Sequence, residues 1–169
     1  MIEFSIERRV EDPSWSAAWT PADSSGGQVE WGQVSASAFT FDIFRAVVSF
    51  VVNGINFGVD EPNQTLLDYC LMLNLGCREL QAHRGSQVES ATGSFRMYFI
   101  RDSKGLRIAS DRAEESVCIP VTEYHKSVAE LLDSAMCEIL SAHPELGDNA
   151  FLRRVEKFRC RGSHESVGR

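Results

Sequence analysis

No stretch of this 169-residue sequence approaches the run of about 20 apolar residues that a membrane-spanning helix requires. Residues 2–10 alternate apolar and polar side chains, as a half-buried strand does. The first residues therefore lack the basic start, apolar run and cleavage site of a secretory signal. We expect a cytoplasmic protein that makes no membrane contact.

Basic residues are in the minority, because 17 Lys and Arg face 24 Asp and Glu, which gives a net charge of −7. Nucleic-acid binding depends on a basic surface that neutralises phosphates, so this balance argues against DNA or RNA as a partner. An acidic protein is instead suited to a basic protein partner.

The sequence also lacks the short-spaced Cys and His pairs that hold structural zinc. Its five cysteines are odd in number and scattered, which favours reduced thiols over a disulfide framework. Gly26-Gly27 lies between neither a strand nor a helix, so no phosphate-binding loop is predicted. We expect no metal and no cofactor. Four cysteines are interpreted as buried core thiols: Cys70, Cys77, Cys118 and Cys137.

The clearest feature that is present is an amphipathic helix after Pro120-Val121. We expect the Thr122 hydroxyl to cap its first turn and His143-Pro144 to end it, with the histidine as an end-capping cation at the negative end of the dipole. Apolar residues recur at three- and four-residue steps and form one stripe. They are Tyr124, Val128, Leu131, Leu132, Ala135, Met136 and Ile139.

A second long helix is predicted between Asp60, which would cap it, and Gly85, which would stop it. Its apolar residues follow the same helical spacing: Leu66, Leu67, Cys70, Leu71, Leu73, Cys77 and Leu80. A third, shorter helix from about Asp148 would place four apolar residues on one side: Phe151, Leu152, Val155 and Phe158.

Further strands are predicted before residue 60 and between the two long helices. Residues 28–59 contain several, including an alternating segment at 39–43 and an apolar run at 47–52 that leads through Asn53-Gly54 into a return strand at 55–59. Residues 86–119 contain further strands, and one of their turns is at 102–105. The order of elements predicts an α+β fold, in which an antiparallel β-meander packs two long helices on one face. We expect one domain over residues 1–158 and a flexible tail over 159–169.

A loop over residues 11–27 carries Trp15 and Trp19, four residues apart and on one side of a turn that Ser14 would cap. Two interpretations are open. The tryptophans form an apolar anchor at a binding surface, or they fold back as a lid on the core. The lid is favoured, because a large apolar ring is more often buried than exposed.

Cys118 and His125 are the clearest candidates for a nucleophilic site, with Glu123 or Asp111 to orient the histidine. Thiolate chemistry needs a base within hydrogen-bond reach and access to solvent. Cys118 lies between two apolar residues, and His125 lies early in a helix, where the dipole disfavours its charged form. We therefore favour a core thiol and a surface histidine, and we predict no catalytic residue.

Two segments carry a resemblance to a known class of protein. They are FRMYFIRDSKGLRIASD at 95–111 and VCIPVTEYHKSVAELLDSAMCEILSAHPEL at 117–146, in which a hairpin leads through a P-x-x-E helix start into a long helix. This half of the chain resembles small cytosolic bacterial immunity proteins. The resemblance implies a non-catalytic binding protein that holds a toxin domain and occludes its active site. A regulatory or structural partner-binding domain and a Cys/His-dependent hydrolase or transferase are the alternatives.

The acidic residues beside this helix give a candidate binding surface. We expect an acidic patch for a basic partner, formed by an acidic loop and the outer face of the helix, with the two tryptophans as candidate anchors beside it. The loop contributes Asp111, Glu114 and Glu115, and the helix contributes Glu123, Glu130 and Asp133. Only the short segment 116–119 joins the loop to the helix, which suggests that the two lie close together.

Overall fold

The computed structural model describes residues 1–23 and 25–159, and it has the predicted α+β class. The described part of the chain contains two antiparallel sheets and three α-helices around one apolar core. The strands are β1 (Ile2–Arg8), β2 (Ala46–Val52), β3 (Ile55–Asn56), β4 (Gly85–Glu89), β5 (Arg96–Asp102), β6 (Gly105–Ser110) and β7 (Val117–Ile119). The helices are α1 (Leu66–Ala82), α2 (Val121–Ala142) and α3 (Ala150–Lys157).

The first sheet has the strand order β1-β2-β3, and β2 presents alternate residues to the core. The predicted Asn53-Gly54 hairpin joins β2 to β3. Both turn residues have positive φ, 49° and 87°, as a two-residue hairpin requires. The return strand is shorter than predicted, because β3 ends at Asn56 and Val59 makes only an isolated bridge to Val48.

The second sheet is a four-stranded meander, β4-β5-β6-β7. Phe99 of β5 lies opposite Ile108 of β6, and Leu106 of β6 lies opposite Ile119 of β7. These four side chains belong to the core, so one face of the sheet is covered. The turn at 102–105 is present as predicted. The strands thus divide into two sheets, where the sequence suggested one meander.

Helix α1 begins six residues after Asp60, the residue expected to cap it. The cap is Thr65, whose hydroxyl accepts a hydrogen bond from the Asp68 N–H. Asp60 instead forms an ion pair with Arg9, 2.5 Å between Oδ1 and Nη2. The apolar stripe is confirmed over most of its length. Its fully buried members are Leu66, Leu67, Cys70, Leu73, Cys77 and Leu80, and Leu71 is half-buried.

Helix α2 begins at Val121 with Pro120 as its N-cap, so Thr122 lies inside the first turn and is not the cap. All seven residues of the predicted stripe are buried: Tyr124, Val128, Leu131, Leu132, Ala135, Met136 and Ile139. The helix lies along β1, where Arg8 pairs with Glu138 at 2.5 Å. The helix that the sequence identified most clearly therefore lies in the core of the fold.

The strands expected within residues 28–43 are not formed by this described segment. Residues 31–33 form a 3₁₀ turn and 38–42 a single π-helical turn, in which Phe39 is buried and Phe41 is exposed. Phe39 packs on Phe44 and on Phe151, with ring centroids 6.0 and 5.5 Å apart. Alternation over five residues predicted a strand, but the helical turn that forms instead lets Phe39 pack on Phe151, far along the chain.

Helix α3 is capped by Asn149, whose Oδ1 accepts hydrogen bonds from the Phe151 and Leu152 N–H groups. Phe158 follows the helix and is 50% exposed, so it does not complete the predicted buried side. Of the predicted tail, only Arg159 is described, and residues 160–169 lie outside the described part. Within the described residues, no helix combines the length and apolar character needed to span a bilayer.

Candidate functional site

The acidic loop at 111–115 is held in place by the side chain of Arg112. Its Nη1 lies 2.5 Å from Oε1 of Glu61, and its Nη2 donates a hydrogen bond of 2.6 Å to the carbonyl of Ser94. The guanidinium also lies 5.7 Å from the ring centroid of buried Phe95. One arginine thus ties the loop to the start of β5 and to the segment before α1.

Hydrogen bonds from backbone N–H groups to side-chain oxygens fix the shape of the same loop. The Ser110 hydroxyl accepts bonds from the N–H groups of Arg112 and Ala113, at 3.3 and 3.0 Å. Asp111 accepts a bond of 3.2 Å from the N–H of Arg96. Glu114 and Glu115 follow this anchored segment and are exposed, and neither forms an ion pair with a described residue.

The acidic residues of α2 have a different environment, because each is paired with a cation of the same chain. Glu123 lies 3.0 Å from the terminal ammonium of Met1. Glu130 lies 3.8 Å from Lys126, one turn earlier, and Asp133 pairs with Arg159. These pairs are solvent-accessible, so each contributes little stability, but each reduces the charge that the helix presents outward.

The loop and the start of α2 lie at opposite ends of β7. The loop precedes Val117 and contacts the start of β5, whereas α2 follows Ile119, which pairs with Leu106 near the start of β6. Six residues of extended chain from Glu115 to Val121 span up to about 20 Å. The short connection therefore does not by itself bring the loop to the start of α2, because β7 runs between them.

The tryptophan loop folds onto the core, as the lid interpretation predicts. Trp15 donates a hydrogen bond of 2.7 Å from Nε1 to the carbonyl of Arg45 and packs edge-on against Phe44 at 4.9 Å. Trp19 packs edge-on against Phe44 and Trp31, at 5.8 and 5.6 Å. Both tryptophans are half-buried against the core, so they stabilise the fold in this structure.

Asp12, rather than Ser14, caps the short turn that carries Trp15. Its Oδ1 accepts bonds from both the N–H and the hydroxyl of Ser14, at 2.9 and 2.7 Å. Its Oδ2 accepts a bond of 2.6 Å from the N–H of Arg45. The Ser14 hydroxyl in turn accepts the N–H of Phe44 at 2.7 Å. This network joins the loop to the start of the first sheet.

His143 follows the last residue of α2 but is buried, with 3% of its surface exposed. Its ring stacks on Trp31 at 5.1 Å, and Nε2 lies 2.7 Å from the carbonyl oxygen of Ser14. Because a carbonyl only accepts, Nε2 carries the hydrogen. His143 is thus the C-terminal cap residue of α2, as expected, but its side chain is buried against Trp19 and Trp31 of the tryptophan loop and its flank. Along the axis of α2, His143 lies about 30 Å from Glu123, which is 20 residues earlier in the sequence.

Cys118 and His125 do not form a nucleophilic pair. Cys118 is exposed on the outer face of β7, and its Sγ lies 3.6 Å from the carbonyl of Lys104. His125 is buried on α2, where Nε2 has no hydrogen-bond partner. Burial, together with the charge of Arg101, lowers the pKa of His125. The expected core thiol is thus exposed and the expected surface histidine is buried.

Of the other three cysteines predicted to be buried, reduced thiols, only Cys70 fits the prediction. Cys70 is free and fully buried, and burial raises its pKa far above the ordinary range, as expected of a core thiol. Cys137 is free but exposed, and Cys77 is disulfide-bonded. No cluster of three or more His, Cys, Asp or Glu side chains among the described residues is arranged to hold a metal ion.

Two surface grooves lie on or beside α1. A polar groove of about 550 Å³, at the C-terminal end of α1, is lined in part by His83, Arg84 and Arg101. A more apolar groove of about 350 Å³ lies between α1 and α3. We call the second the α1–α3 groove. Its principal side chains are Leu71, Leu75, Phe151, Val155 and Phe158, with Arg78 and Arg154 beside them.

Comparison with known proteins gives no relative from which a function could be transferred. No protein-family model matches the chain, and no curated protein or solved structure is significantly similar to it. Any function assigned to the chain therefore rests on its own sequence and on the geometry of these surfaces.

Proposed function

We propose that this chain is a cytoplasmic binding protein without catalysis of its own, whose partner is a basic bacterial toxin domain. It neutralises that domain by occluding its active site. The observation that carries the proposal is the anchored acidic loop, which presents Glu114 and Glu115 to solvent without an ionic partner among the described residues. The resemblance of segments 95–111 and 117–146 to immunity proteins supports the toxin as the class of partner.

A fixed loop suits this role for an energetic reason. Ordering side chains and loops on association costs free energy, so a segment that is already ordered retains more of its interaction energy. Arg112 and Ser110 supply that order here. The net charge of −7 adds a long-range attraction that accelerates encounter with a basic surface.

The other residues of the acidic patch have secondary roles in the proposal. Glu123, Glu130 and Asp133 already have cationic partners, so a basic toxin would have to replace those contacts. Trp15 and Trp19 are half-buried in the lid, and we propose that their role is to stabilise the fold. The acidic loop is therefore the centre of the proposed surface.

The first experiment identifies the partner. The tagged chain is used to capture proteins from its source cell, and the product of the adjacent reading frame is co-expressed with it. We expect a basic protein that is toxic when expressed alone and harmless in complex. A partner without toxicity would remove the toxin from the proposal and leave a regulatory binding domain.

The second experiment locates the surface. Glu114→Lys with Glu115→Lys should slow association with the captured partner by about tenfold at low salt, and the difference should shrink as salt screens the charges. The matched control is Glu3→Lys with Glu7→Lys, which reverses two exposed acids on β1 by the same total charge. Equal effects of the two double variants would show that only net charge matters and would reject the loop as the site.

A further inference from the structure

The α1–α3 groove combines features that an ordinary protein surface seldom brings together. Leu75 on α1 is 49% exposed and Phe158, just after α3, is 50% exposed. Both line the groove, together with half-buried Leu71 and Phe151. Large apolar side chains are exposed at few positions of the described chain, so two at one groove indicate a surface that another molecule covers.

The charges beside the groove are positive, although the chain as a whole is acidic. Arg78 and Arg154 line it, both are exposed, and neither forms an ion pair with a described residue. The other arginines of α3 and its C-terminal flank are paired, Arg153 with Asp148 and Arg159 with Asp133. Two unpaired cations therefore flank an apolar floor.

The groove is also partly organised in advance. The guanidinium of Arg78 lies over the ring of Phe158, 5.0 Å from its centroid. Asn74 donates a hydrogen bond of 2.9 Å to the carbonyl of Phe158, which ties the end of α3 to α1. These contacts hold Phe158 beside the groove, so less ordering is needed when a ligand arrives.

We propose that the α1–α3 groove binds an amphipathic helical segment of a protein partner, whose apolar side chains enter the groove and whose Asp or Glu side chains meet Arg78 and Arg154. A helix laid in a groove presents its apolar residues at i, i+3, i+4 and i+7, which suits a trough that runs between two helices. Helix α3 has eight residues and is about 12 Å long, so two turns of such a segment would cover it.

A protein segment fits the groove better than a small amphiphilic molecule. Pockets for small ligands enclose about 70–90% of the ligand's surface, which requires a deep cavity. Here Leu75 and Phe158 stay about half exposed, so the groove is an open trough that covers one side of its ligand. The α1–α3 groove selects acidic partners, whereas the acidic loop selects basic ones. The proposal for the groove therefore does not depend on which partner the loop binds.

The test uses a fluorescein-labelled helical peptide of about five turns with Leu and Phe on one face and Glu on its flanks. We expect saturable binding to the full chain by fluorescence anisotropy, weakened at least about tenfold by Arg78→Glu with Arg154→Glu. Leu75→Ser should weaken binding by a similar factor without the salt dependence of the charge variant. Circular dichroism checks that each variant is folded.

Two controls make the result decisive. Arg84→Glu with Lys104→Glu reverses two exposed cations outside the groove, and binding should change by less than about threefold. A peptide of the same apolar face with Lys in place of Glu should bind at least about tenfold more weakly. Equal binding of both peptides, or equal loss in both charge variants, would overturn the proposal. So would a concentration-dependent dimer that Leu75→Ser abolishes, because the occupant would then be a second copy of this chain.

Discussion

The hydroxyl of Tyr124 on α2 donates a hydrogen bond of 3.1 Å to the backbone carbonyl of Leu73 in the middle of α1. Tyr124 is fully buried, and its ring lies 5.1 Å from that of Phe99 on β5. One side chain therefore connects both long helices to the second sheet. Burial also raises the pKa of this phenol well above its ordinary value, so it remains a neutral donor at physiological pH.

Two substitutions of Tyr124 measure separately how much its hydrogen bond and its packing contribute to stability. Tyr124→Phe should lower the free energy of unfolding by about 1 kcal/mol, the usual net value of one hydrogen bond. Tyr124→Ala should lower it by about 3–5 kcal/mol, because a buried cavity is added. Denaturant titration measures both. If the two substitutions had the same small effect, the ring could not be in the core.

Gly76 permits the close approach of α1 to this cluster. A methyl group added at Gly76 would lie 2.8 Å from Cε2 of Phe99, which is well inside van der Waals contact. Gly76→Ala should therefore destabilise the protein by about 1–3 kcal/mol through overpacking, although alanine favours a helix by about 1 kcal/mol. Gly147→Ala is the matched control, because nothing lies within 4 Å of its added carbon. A stabilising Gly76→Ala would show that α1 and β5 are farther apart.

His125 should make stability depend on pH in mildly acidic solution. Burial and Arg101 depress its pKa in the folded state below the ordinary value of 6.5, so the unfolded chain binds the proton more readily. Stability is then full above the unfolded pKa and is lost as pH falls from 6.5 through the folded pKa. Chemical denaturation between about pH 7 and 5 checks the direction, starting from the ordinary range of histidine.

The matching variant for this effect is His125→Phe, which has no titrating ring and removes a buried nitrogen without a hydrogen-bond partner. We expect its stability to fall less over the same pH range than that of the unsubstituted chain. If the stability of His125→Phe and of the unsubstituted chain changed with pH in parallel, a group other than His125 would be responsible for the pH dependence.

Local patterns in the sequence predicted the elements whose structure depends on local interactions. The stripe of α2 and the Asn53-Gly54 turn follow from side-chain spacing and from positive φ, and both are present. The cap of α1 was misplaced, because Asp60 has a distant partner in Arg9 that no local pattern reveals. Residues 39–43 do not form the predicted strand for a similar reason, since Phe39 packs on Phe151, far along the chain.

The candidate site was predictable only in part. The acidic loop and its exposure follow from composition, and the Lys126–Glu130 pair from helical spacing. The partner of Asp133 is 26 residues away in sequence, and His143 contacts a carbonyl 129 residues away. Neither contact leaves a local signal. The α1–α3 groove was missed because Phe158 completes the apolar spacing of α3 in sequence but lies beyond its end.

The free cysteines differ in exposure, so we expect them to differ in how fast a thiol reagent labels them in the native state. Cys118 and Cys137 are exposed, whereas Cys70 is buried and its thiol is held neutral by a raised pKa. A bulky maleimide should label the first two within minutes in the native state and Cys70 only after unfolding. Mass spectrometry of digested protein assigns the sites. Rapid native labelling of Cys70 would contradict the core described for α1.

Ser14 holds a strained residue in place. Phe44 has a φ of 60°, which a bulky residue adopts only when its surroundings hold it there. Its N–H donates to the Ser14 hydroxyl at 2.7 Å, and its carbonyl accepts the Leu66 N–H at the start of α1. Ser14→Ala removes the side-chain acceptor of this buried N–H, which should cost about 1–3 kcal/mol.

The same substitution should loosen the tryptophan loop. Trp15 and Trp19 both pack on Phe44, so we expect Ser14→Ala to shift tryptophan emission to longer wavelength as water reaches the rings. Ser16→Ala is the matched control in this loop, because Ser16 is exposed and its hydroxyl accepts only a long bond of 3.3 Å. Its effect should stay within about 0.5 kcal/mol, as for other surface substitutions. If Ser14→Ala behaved like Ser16→Ala in both stability and emission, the bond to Phe44 would not be what holds the loop on the core.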